Sequence, residues 1–477
     1  MTVESLIHQH AQASPEKTAL ISGEQEVSYA VLWREIKKRA VWMESHAQKG
    51  DRIIISASKN IEFVYAYFGI HLAGMICVPI DPETNETRLK RIIDTACPIL
   101  IIGELRNHGD KEVIAFGDAT GTDANKEFHL PEEDDIADII YTTGTTGLPK
   151  GVVLTYANQM AAAQNINTFI RNQEEDIELL ALPISHSFGL GRLRCVLSKG
   201  ATLVLLGSFA SMKKFFGEMA RCHVTGFGMV PASWSYILKM SGNRIGQFAN
   251  QLKYIEIGSA FMSLENKKKL MELLPETRIC MHYGLTEASR STFISFHEDA
   301  DHLMTAGRPS PNTEIAVFNE DGLPLPMNED GEICVKGHHV CSGYWGVSPE
   351  EFKKDFYGDY FKTGDWGHID DEGYIHLVSR KKEIINVGGK KVSPIEVEEV
   401  LNAIDGISES ACIGIHDDVL GEVVKAYCVC TKEIDFEGVK KILFKKIENY
   451  KIPVIFEYIG ILPKTQNGKI QRLLLRS

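Results

Sequence analysis

The stretch Tyr141-Thr142-Thr143-Gly144-Thr145-Thr146-Gly147-Leu148-Pro149-Lys150-Gly151 stands between two short apolar runs, 136–140 and 152–154. This arrangement predicts a loop that joins two strands. The threonines offer hydroxyl donors, the glycines let backbone N–H groups come close to a ligand, and Lys150 adds a positive charge. A polyphosphate fits such a loop, and we expect ATP. The candidate phosphate ligands are Thr142, Thr143, Gly144, Thr145, Thr146 and Lys150.

Other interpretations of this loop are weaker. A Walker loop requires Gly-Lys followed by Ser or Thr, whereas Lys150 precedes Gly151. A flexible Gly/Thr turn explains most glycine-rich loops, but eleven residues of this composition favour a nucleotide site. The stretch resembles the phosphate loop of the adenylate-forming superfamily, which includes acyl-CoA synthetases, luciferases and the adenylation domains of nonribosomal peptide synthetases.

Length and charge limit the class of protein. A chain of 477 residues is longer than one hydrophobic core usually supports, so we expect at least two domains. The net charge of -13 argues against a nucleic-acid binder, which would need a basic face. From Val378 onward the balance changes to 16 basic against 14 acidic residues, which makes this the basic end of the chain.

The ten cysteines show no zinc-binding spacing, and Cys428 and Cys430 share one face of a predicted strand. Reduced, buried thiols are expected, which suits the cytoplasm. The N-terminus lacks the pattern of a secretion signal. The longest apolar run, 64–78, contains two glycines and stops at Pro79, so we expect a buried helix and strand there and no membrane span.

Helical and strand patterns alternate over residues 1–135, with a strand at 52–57 and a helix at 61–74, which argues for an α/β architecture. The resemblance implies a large N-terminal domain of packed α/β subdomains at 1–379 and a hinge at 380–382. It further implies a smaller, mobile α+β domain at 383–477. Within that domain, Ser393-Pro394-Ile395-Glu396 predicts a helix start with a capping box.

His186 follows a predicted strand, in Pro183-Ile184-Ser185-His186-Ser187-Phe188-Gly189. A lone histidine in such a place is more often structural than catalytic. Here it is similar to the family's Pro-x-x-His-x-x-Gly element, whose histidine lies near the acyl carboxylate. No acidic residue stands in this region to pair with an ammonium group, which counts against an α-amino acid substrate.

Two further stretches resemble the nucleotide site of the family. The turn Gly258-Ser259-Ala260 follows a predicted strand and is similar to the turn that lies against adenine. Tyr283-Gly284-Leu285-Thr286-Glu287 resembles the Tyr-Gly-x-Thr-Glu signature. This resemblance implies that Tyr283 stacks on adenine, Thr286 contacts the α-phosphate and Glu287 holds Mg²⁺, a hard cation that needs oxygen ligands.

The resemblance also covers the C-terminal third. Asp365 in Thr-Gly-Asp and Arg380 correspond to ribose ligands, and Lys382 corresponds to the hinge position. Ser379 stands where the family pattern has glycine. Gly388-Gly389 would meet a pantetheine arm, and Lys469 would be the catalytic lysine that bridges carboxylate and phosphate oxygens.

The implied reaction begins with attack of a carboxylate on the α-phosphate of Mg·ATP, which gives acyl-AMP and pyrophosphate. A thiol then attacks the acyl-AMP and releases AMP. The acceptor stays open between coenzyme A and the phosphopantetheine of an acyl carrier protein. Two alternatives come from other classes. An ADP-forming ATPase or kinase would release ADP, and a noncatalytic binding relative would have lost Lys469 or Glu287, yet both are present.

The acid is expected to lie among mostly apolar or small groups, which favours an aryl or short-to-medium acyl carboxylate. A bulky histidine at position 282 should narrow the cavity, and Arg290 is a candidate partner for a polar substituent. The expected substrate contacts are His186, Trp234, Gly258 and His282.

Overall fold

The computed structural model describes residues 1–106, 108, 112–143, 149–464 and 470–475. The chain divides into two compact units, one of residues 1–314 and 335–361 and the other of residues 315–334 and 362–477. The predicted hinge at 380–382 falls inside the second unit, and the boundaries 1–379 and 383–477 remain predictions.

The described part contains twelve α-helices and 25 strands, besides short 3₁₀ turns. The helices are α1 Val3–Ala13, α2 Tyr29–Glu44, α3 Ile61–Leu72, α4 Glu86–Ala96, α5 Tyr156–Ile170, α6 Ser187–Ser198, α7 Met212–Arg221, α8 Pro231–Ser241, α9 Leu264–Leu273, α10 Pro349–Phe352, α11 Pro394–Asn402 and α12 Phe436–Leu443. The strands are β1 Thr18–Ser22, β2 Gln25–Ser28, β3 Arg52–Ser56, β4 Ile76–Ile80, β5 Leu100–Ile102, β6 Ile136–Thr143, β7 Pro149–Thr155, β8 Ile177–Leu180, β9 Thr202–Leu205, β10 Gly226–Met229, β11 Tyr254–Ile257, β12 Arg278–Tyr283, β13 Thr292–Ser295, β14 Arg308–Pro309, β15 Glu314–Phe318, β16 Gly331–Lys336, β17 Gly343–Tyr344, β18 Phe356–Tyr357, β19 Tyr360–Ile369, β20 Ile375–Arg380, β21 Ile385–Val387, β22 Lys390–Val392, β23 Ile407–Asp417, β24 Gly421–Cys430 and β25 Ile455–Tyr458.

The first unit contains a six-stranded sheet in the order β17-β7-β6-β4-β3-β5. Strands β3 to β6 pair in parallel, and β6 and β7 form an antiparallel pair. Ile53, Ile54 and Ile55 are all buried, as expected for a parallel strand covered on both faces. The predicted helix at 61–74 is confirmed as α3, in which eleven of the twelve residues are buried. Core packing of α3 therefore accounts for most of the apolar run at 64–78. Among the described residues, no helix is both long and apolar enough to cross a bilayer.

A nine-stranded sheet, also in the first unit, has the order β14-β13-β12-β11-β10-β8-β9-β1-β2. Strands β9, β8, β10, β11 and β12 run parallel to one another. Parallel strands end at one edge of a sheet, so the segments that follow β8, β11 and β12 come together there. His186 and Gly258 lie in such segments and Tyr283 is the last residue of β12, although the three are far apart in the sequence.

The second unit holds two smaller sheets. In one, β16 lies between β15 and β19, and β20 pairs with β19; in the other the order is β22-β21-β24-β23, with β25 beside β24. Helix α11 starts as predicted, because Ser393 Oγ accepts from Glu396 N (3.3 Å) and Pro394 occupies the first turn. The Glu396 carboxylate pairs with Lys451 Nζ (2.7 Å) and does not complete a capping box.

The cysteines agree with the expectation of reduced thiols. All ten are free, and eight of them are buried. Cys428 lies in the core of the second unit on β24, with Cys430 packed against the same cluster. Their pKa values are raised, chiefly by burial, so both thiols are protonated near neutral pH.

Candidate active site

The two apolar runs that flank the phosphate-loop stretch form strands, as predicted. Strands β6 and β7 pair antiparallel, and Thr142 lies opposite Lys150. The exposed Lys150 places its Nζ atom 4.9 Å from the centre of the Tyr344 ring. The candidate ligands Gly144, Thr145 and Thr146, and the side chain of Thr143, fall outside the described residues, so their role stays a prediction.

The Tyr283–Glu287 segment is a tight loop at the end of β12. A Cβ atom on Gly284 would lie 2.5 Å from the Arg290 backbone nitrogen and 2.8 Å from the Ala288 oxygen, so only glycine fits there. The Leu285 N–H donates to Ala288 O at 3.0 Å and closes the turn. Thr286 and Glu287 are half-buried on this loop. The tight packing at Gly284 and the Leu285–Ala288 hydrogen bond therefore restrict the shape of this segment.

Among the described residues, one hydrogen-bond donor contacts the Glu287 carboxylate: the Tyr344 hydroxyl, which lies 3.0 Å from Oε1. Burial and the charge of Glu287 raise the pKa of Tyr344 well above its usual value, so the phenol keeps its proton. Within the described ranges, no basic side chain lies within 4 Å of Glu287. A half-buried carboxylate with one free oxygen and no basic partner suits a hard cation.

The turn after β11 is strained at its second residue. Ser259 has a φ of 73°, a left-handed conformation that costs a non-glycine residue roughly 1–3 kcal/mol. Such strain concentrates where a ligand needs a particular backbone shape. This agrees with the predicted role of Gly258, Ser259 and Ala260 beside adenine, which remains a prediction.

The His282 ring fills the space beside Gly258. A Cβ atom at position 258 would lie 2.1 Å from both Cε1 and Nε2 of His282. His282 also meets the edge of Phe188 with ring centres 4.7 Å apart. Its Nδ1 atom lies 2.7 Å from Glu256 Oε1. Burial lowers the pKa of His282, so the ring is neutral near pH 7.

Glu256 belongs to a buried ion cluster that sequence reasoning missed. Arg192 donates to Glu178 Oε1 (2.8 Å) and to Glu256 Oε2 (3.1 Å), and Arg290 Nε donates to Glu256 Oε1 (3.0 Å). Burial alone would raise the pKa of Glu256, but the charge of Arg290, together with that of Arg192, holds it well below its usual value. The signal available in the sequence was an acidic residue inside each of two apolar strands, β8 and β11.

Arg290 is not a substrate contact, and the expectation that it pairs with a polar substituent is wrong. It is 2% exposed, and its three nitrogens already have acceptors. Nε donates to Glu256, Nη1 to Ser187 O (2.9 Å) and Nη2 to Phe188 O (3.0 Å). Arg290 therefore fixes the start of α6, immediately after His186.

His186 is half-buried at the N-cap of α6, and its Nε2 atom finds no hydrogen-bond partner among the described residues. Burial lowers its pKa, so the ring is neutral near pH 7. An unpartnered imidazole nitrogen suits a residue that faces a ligand.

Trp234, another predicted substrate contact, is fully buried in the hydrophobic core and donates from Nε1 to Asn266 Oδ1 (3.2 Å). Its role in substrate binding stays a prediction.

The second unit brings the two predicted ribose ligands together. Asp365 and Arg380 lie directly opposite each other on β19 and β20, with Nε 2.8 Å from Oδ1. Lys382 is exposed in the turn after β20. Gly388 and Gly389 form the exposed turn of the β21–β22 hairpin with φ values of 57° and 80°, which two glycines adopt without strain. Lys469 falls outside the described residues.

Comparison with known families gives a clear match. The model of the AMP-binding enzyme family matches residues 7–345, and the model of the AMP-binding enzyme C-terminal domain matches residues 396–469. The chain belongs to the AMP-binding enzyme family. The adenylate-forming resemblance and the predicted fold class are thereby confirmed.

Relatives of this AMP-binding enzyme are CoA ligases. The 2-succinylbenzoate–CoA ligase of Bacillus velezensis is 30% identical over 480 residues, which cover 97% of this chain and 96% of the relative. The oxalate–CoA ligase of Arabidopsis thaliana is 30% identical over 507 residues, with 99% and 98% covered. The protein is accordingly an AMP-forming acid–thiol ligase, and the expected adenylation followed by thioester formation is confirmed.

Solved structures show the same fold with nucleotide bound. ATP-bound MatB from Rhodopseudomonas palustris superimposes with a TM-score of 0.90 at 26% identity, covering 100% of this chain and 98% of the other. The O-succinylbenzoate coenzyme A synthetase of Bacillus subtilis, in complex with ATP and magnesium ion, gives 0.90 at 27% identity, with 99% of each chain covered. These complexes support ATP and magnesium as ligands of this family member.

Proposed function

We propose that this AMP-binding enzyme activates an aryl or short-to-medium acyl carboxylic acid and transfers the acyl group to the thiol of coenzyme A. The observation that supports this class of acid is the close approach of the His282 imidazole to Gly258. Phe188 supports that ring from the side, and the buried Arg290–Glu256 pair lies behind it. A long chain has no room beside Gly258 unless His282 moves.

The names of the relatives do not decide the acid, since they include 2-succinylbenzoate, oxalate and long-chain fatty acids. The side chains near Gly258 and His186 support the proposed class of acid instead. Near Gly258 the charged groups are paired with one another, so an amino group would find no free carboxylate there. His186 Nε2 supplies a polar contact that could meet the acyl carboxylate.

In the proposed first step, the carboxylate of the acid attacks the α-phosphate of ATP and pyrophosphate leaves. The negatively charged carboxylate and triphosphate must come together in this step. Positive charge must therefore be placed where negative charge builds up. Lys150, the donors of the phosphate loop and Lys469 supply it, and Thr286 donates to the α-phosphate. Glu287 would hold Mg²⁺, which would supply further positive charge beside the phosphates. Tyr283 and the Gly258–Ala260 turn hold adenine, and Asp365 with Arg380 holds the ribose.

In the proposed second step, the thiol attacks the acyl carbon and AMP leaves. Gly388 and Gly389 can lie close to a pantetheine arm because their turn carries no side chain. The CoA ligase names of the relatives favour free coenzyme A. A carrier protein bears the same thiol and is the alternative acceptor.

A screen of carboxylic acids by pyrophosphate release tests the acid class. We expect benzoate-like and medium-chain acids to exceed long-chain fatty acids and amino acids. His282→Ala should extend the range toward longer acids by emptying the space beside Gly258. A matched control is His297→Ala, which removes a half-buried ring bonded to Leu274 O elsewhere in the same unit. If the wild type prefers long chains or amino acids, the proposal fails.

Supplying either coenzyme A or a phosphopantetheinylated carrier protein tests the acceptor. Thioester should form with coenzyme A at least tenfold faster. A faster reaction with the carrier protein would show that the carrier protein, and not coenzyme A, is the acceptor.

A further inference from the structure

We infer that Tyr344 is a positioning residue for the magnesium-binding carboxylate. This inference rests on the proposed role of Glu287. Its basis is one hydrogen bond, from the Tyr344 hydroxyl to Glu287 Oε1 at 3.0 Å. That bond fixes one carboxylate oxygen and leaves the other for the metal.

The backbone around Tyr344 joins two parts of the nucleotide site. On one side, Cys341 N donates to Glu287 O (2.7 Å), and Val340 forms a bridge with Ala288. On the other side, Tyr344 lies opposite Val152 on β7, the strand that follows the phosphate loop. The segment 340–345 therefore holds the Glu287 loop and the phosphate-loop hairpin at a set separation.

The Tyr344 ring itself is held on two sides. Phe352 packs against it edge-on with ring centres 5.5 Å apart. The Lys150 ammonium lies 4.9 Å from the ring centre, within the range of a cation–π contact. The side chain that orients Glu287 thus also contacts the phosphate-loop lysine.

This arrangement has an electrostatic consequence. Lys150 and Glu287 carry opposite charges, yet in the part of the chain that the structure describes they form no ion pair. A direct pair would neutralise both groups and compete with the magnesium ion and the triphosphate. Tyr344 keeps the two charges apart, because its hydroxyl donates to the Glu287 carboxylate and its ring contacts the Lys150 ammonium.

The test is the magnesium dependence of nucleotide binding, measured by calorimetry with a non-hydrolysable ATP analogue and no acid present. Tyr344→Phe keeps the ring and removes only the donor. We expect the Mg²⁺ concentration for half-maximal binding to rise about tenfold, the scale for losing a hydrogen bond to a charged group.

The matched control is Tyr360→Phe, which removes another tyrosine hydroxyl bonded to a carboxylate, that of Glu314 at 2.9 Å. It should leave the magnesium dependence unchanged. In a Glu287→Gln background, Tyr344→Phe should have no further effect, because its action passes through that carboxylate.

The outcomes separate the two claims. If Glu287→Gln alters the magnesium dependence and Tyr344→Phe does not, Tyr344 has no positioning role while the magnesium site stands. If Glu287→Gln leaves the dependence unchanged, the magnesium site itself is misassigned. An equal effect of Tyr344→Phe with and without Glu287 would mean a general structural defect and would overturn the inference.

Discussion

Asp365 and Arg380 face each other across the β19–β20 pair, with the guanidinium Nε 2.8 Å from the carboxylate Oδ1. The fourteen residues between them include the turn that joins the two strands. Antiparallel pairing sets this distance, and the charge of Arg380 fixes the direction in which the Asp365 carboxylate points. The two predicted ribose ligands thus form one preorganised pair within the second unit.

Asp365→Asn should weaken ATP and AMP binding about tenfold to a hundredfold, because a neutral amide accepts ribose hydroxyl protons less strongly than a carboxylate. Equilibrium binding of AMP measures this. The control is Asp330→Asn, which alters another aspartate of the second unit, bonded to His368 Nδ1 at 2.8 Å. Equal affinity in wild type and Asp365→Asn would exclude the ribose assignment.

Lys469→Ala should abolish acyl-AMP formation and largely spare thioester formation from presynthesised acyl-AMP. The charge of Lys469 is needed only while carboxylate and triphosphate are forced together. The two half-reactions are measured separately, by pyrophosphate release and by thioester formation. Lys464→Ala, which removes a nearby lysine paired with Glu409, should change neither. Equal losses in both half-reactions for Lys469→Ala would contradict the assignment.

Lys382→Pro should have the opposite effect to Lys469→Ala. It should leave acyl-AMP formation and abolish thioester formation. Proline fixes φ at the predicted hinge, which should trap one domain orientation. Lys382→Ala serves as the control, since it removes the same side chain and leaves φ free. If pyrophosphate release and thioester formation in Lys382→Pro both stay at wild-type rates, rotation about this residue is not the switch.

A buried histidine should make stability depend on pH. His71 Nδ1 lies 2.8 Å from Glu4 Oε1, and Nε2 lies 3.0 Å from Asp138 Oδ1. Burial alone would lower the pKa of His71, but the hydrogen bonds to Asp138 and Glu4 raise it to about 9. The other titratable or charged groups at this cluster are Arg194, Tyr67, Tyr156 and Cys77.

Because the folded-state pKa is raised, this stabilisation is fully present below pH 6.5 and is lost as the pH rises through about 9. The loss should be on the order of 3 kcal/mol. Urea denaturation of wild type and His71→Gln from pH 6 to 9.5 checks it, with the exposed His46→Gln as control. A stability difference between wild type and His71→Gln that does not change with pH would refute it.

The sequence by itself determined the fold class, the order of the nucleotide-binding motifs and the local starts of several elements. The phosphate loop, the Tyr283–Glu287 segment and the Gly388-Gly389 turn depend on residues that are neighbours in the chain. Their composition restricts the backbone directly, through glycine where close approach or positive φ is required. The capping residue Ser393 acts over three residues and was equally predictable from the sequence.

Only the tertiary structure decided which distant side chains meet. In the parallel pair of β11 and β12, Ile257 lies opposite Met281, so the next residues, Gly258 and His282, come into contact. Arg290, a candidate partner for a polar substituent in the sequence analysis, instead donates to Glu256 and to two carbonyls of α6. Tyr344 reaches Glu287, 57 positions earlier, because β17 pairs with β7. Strand order and register fix these contacts, and neither is encoded in any short stretch of the chain.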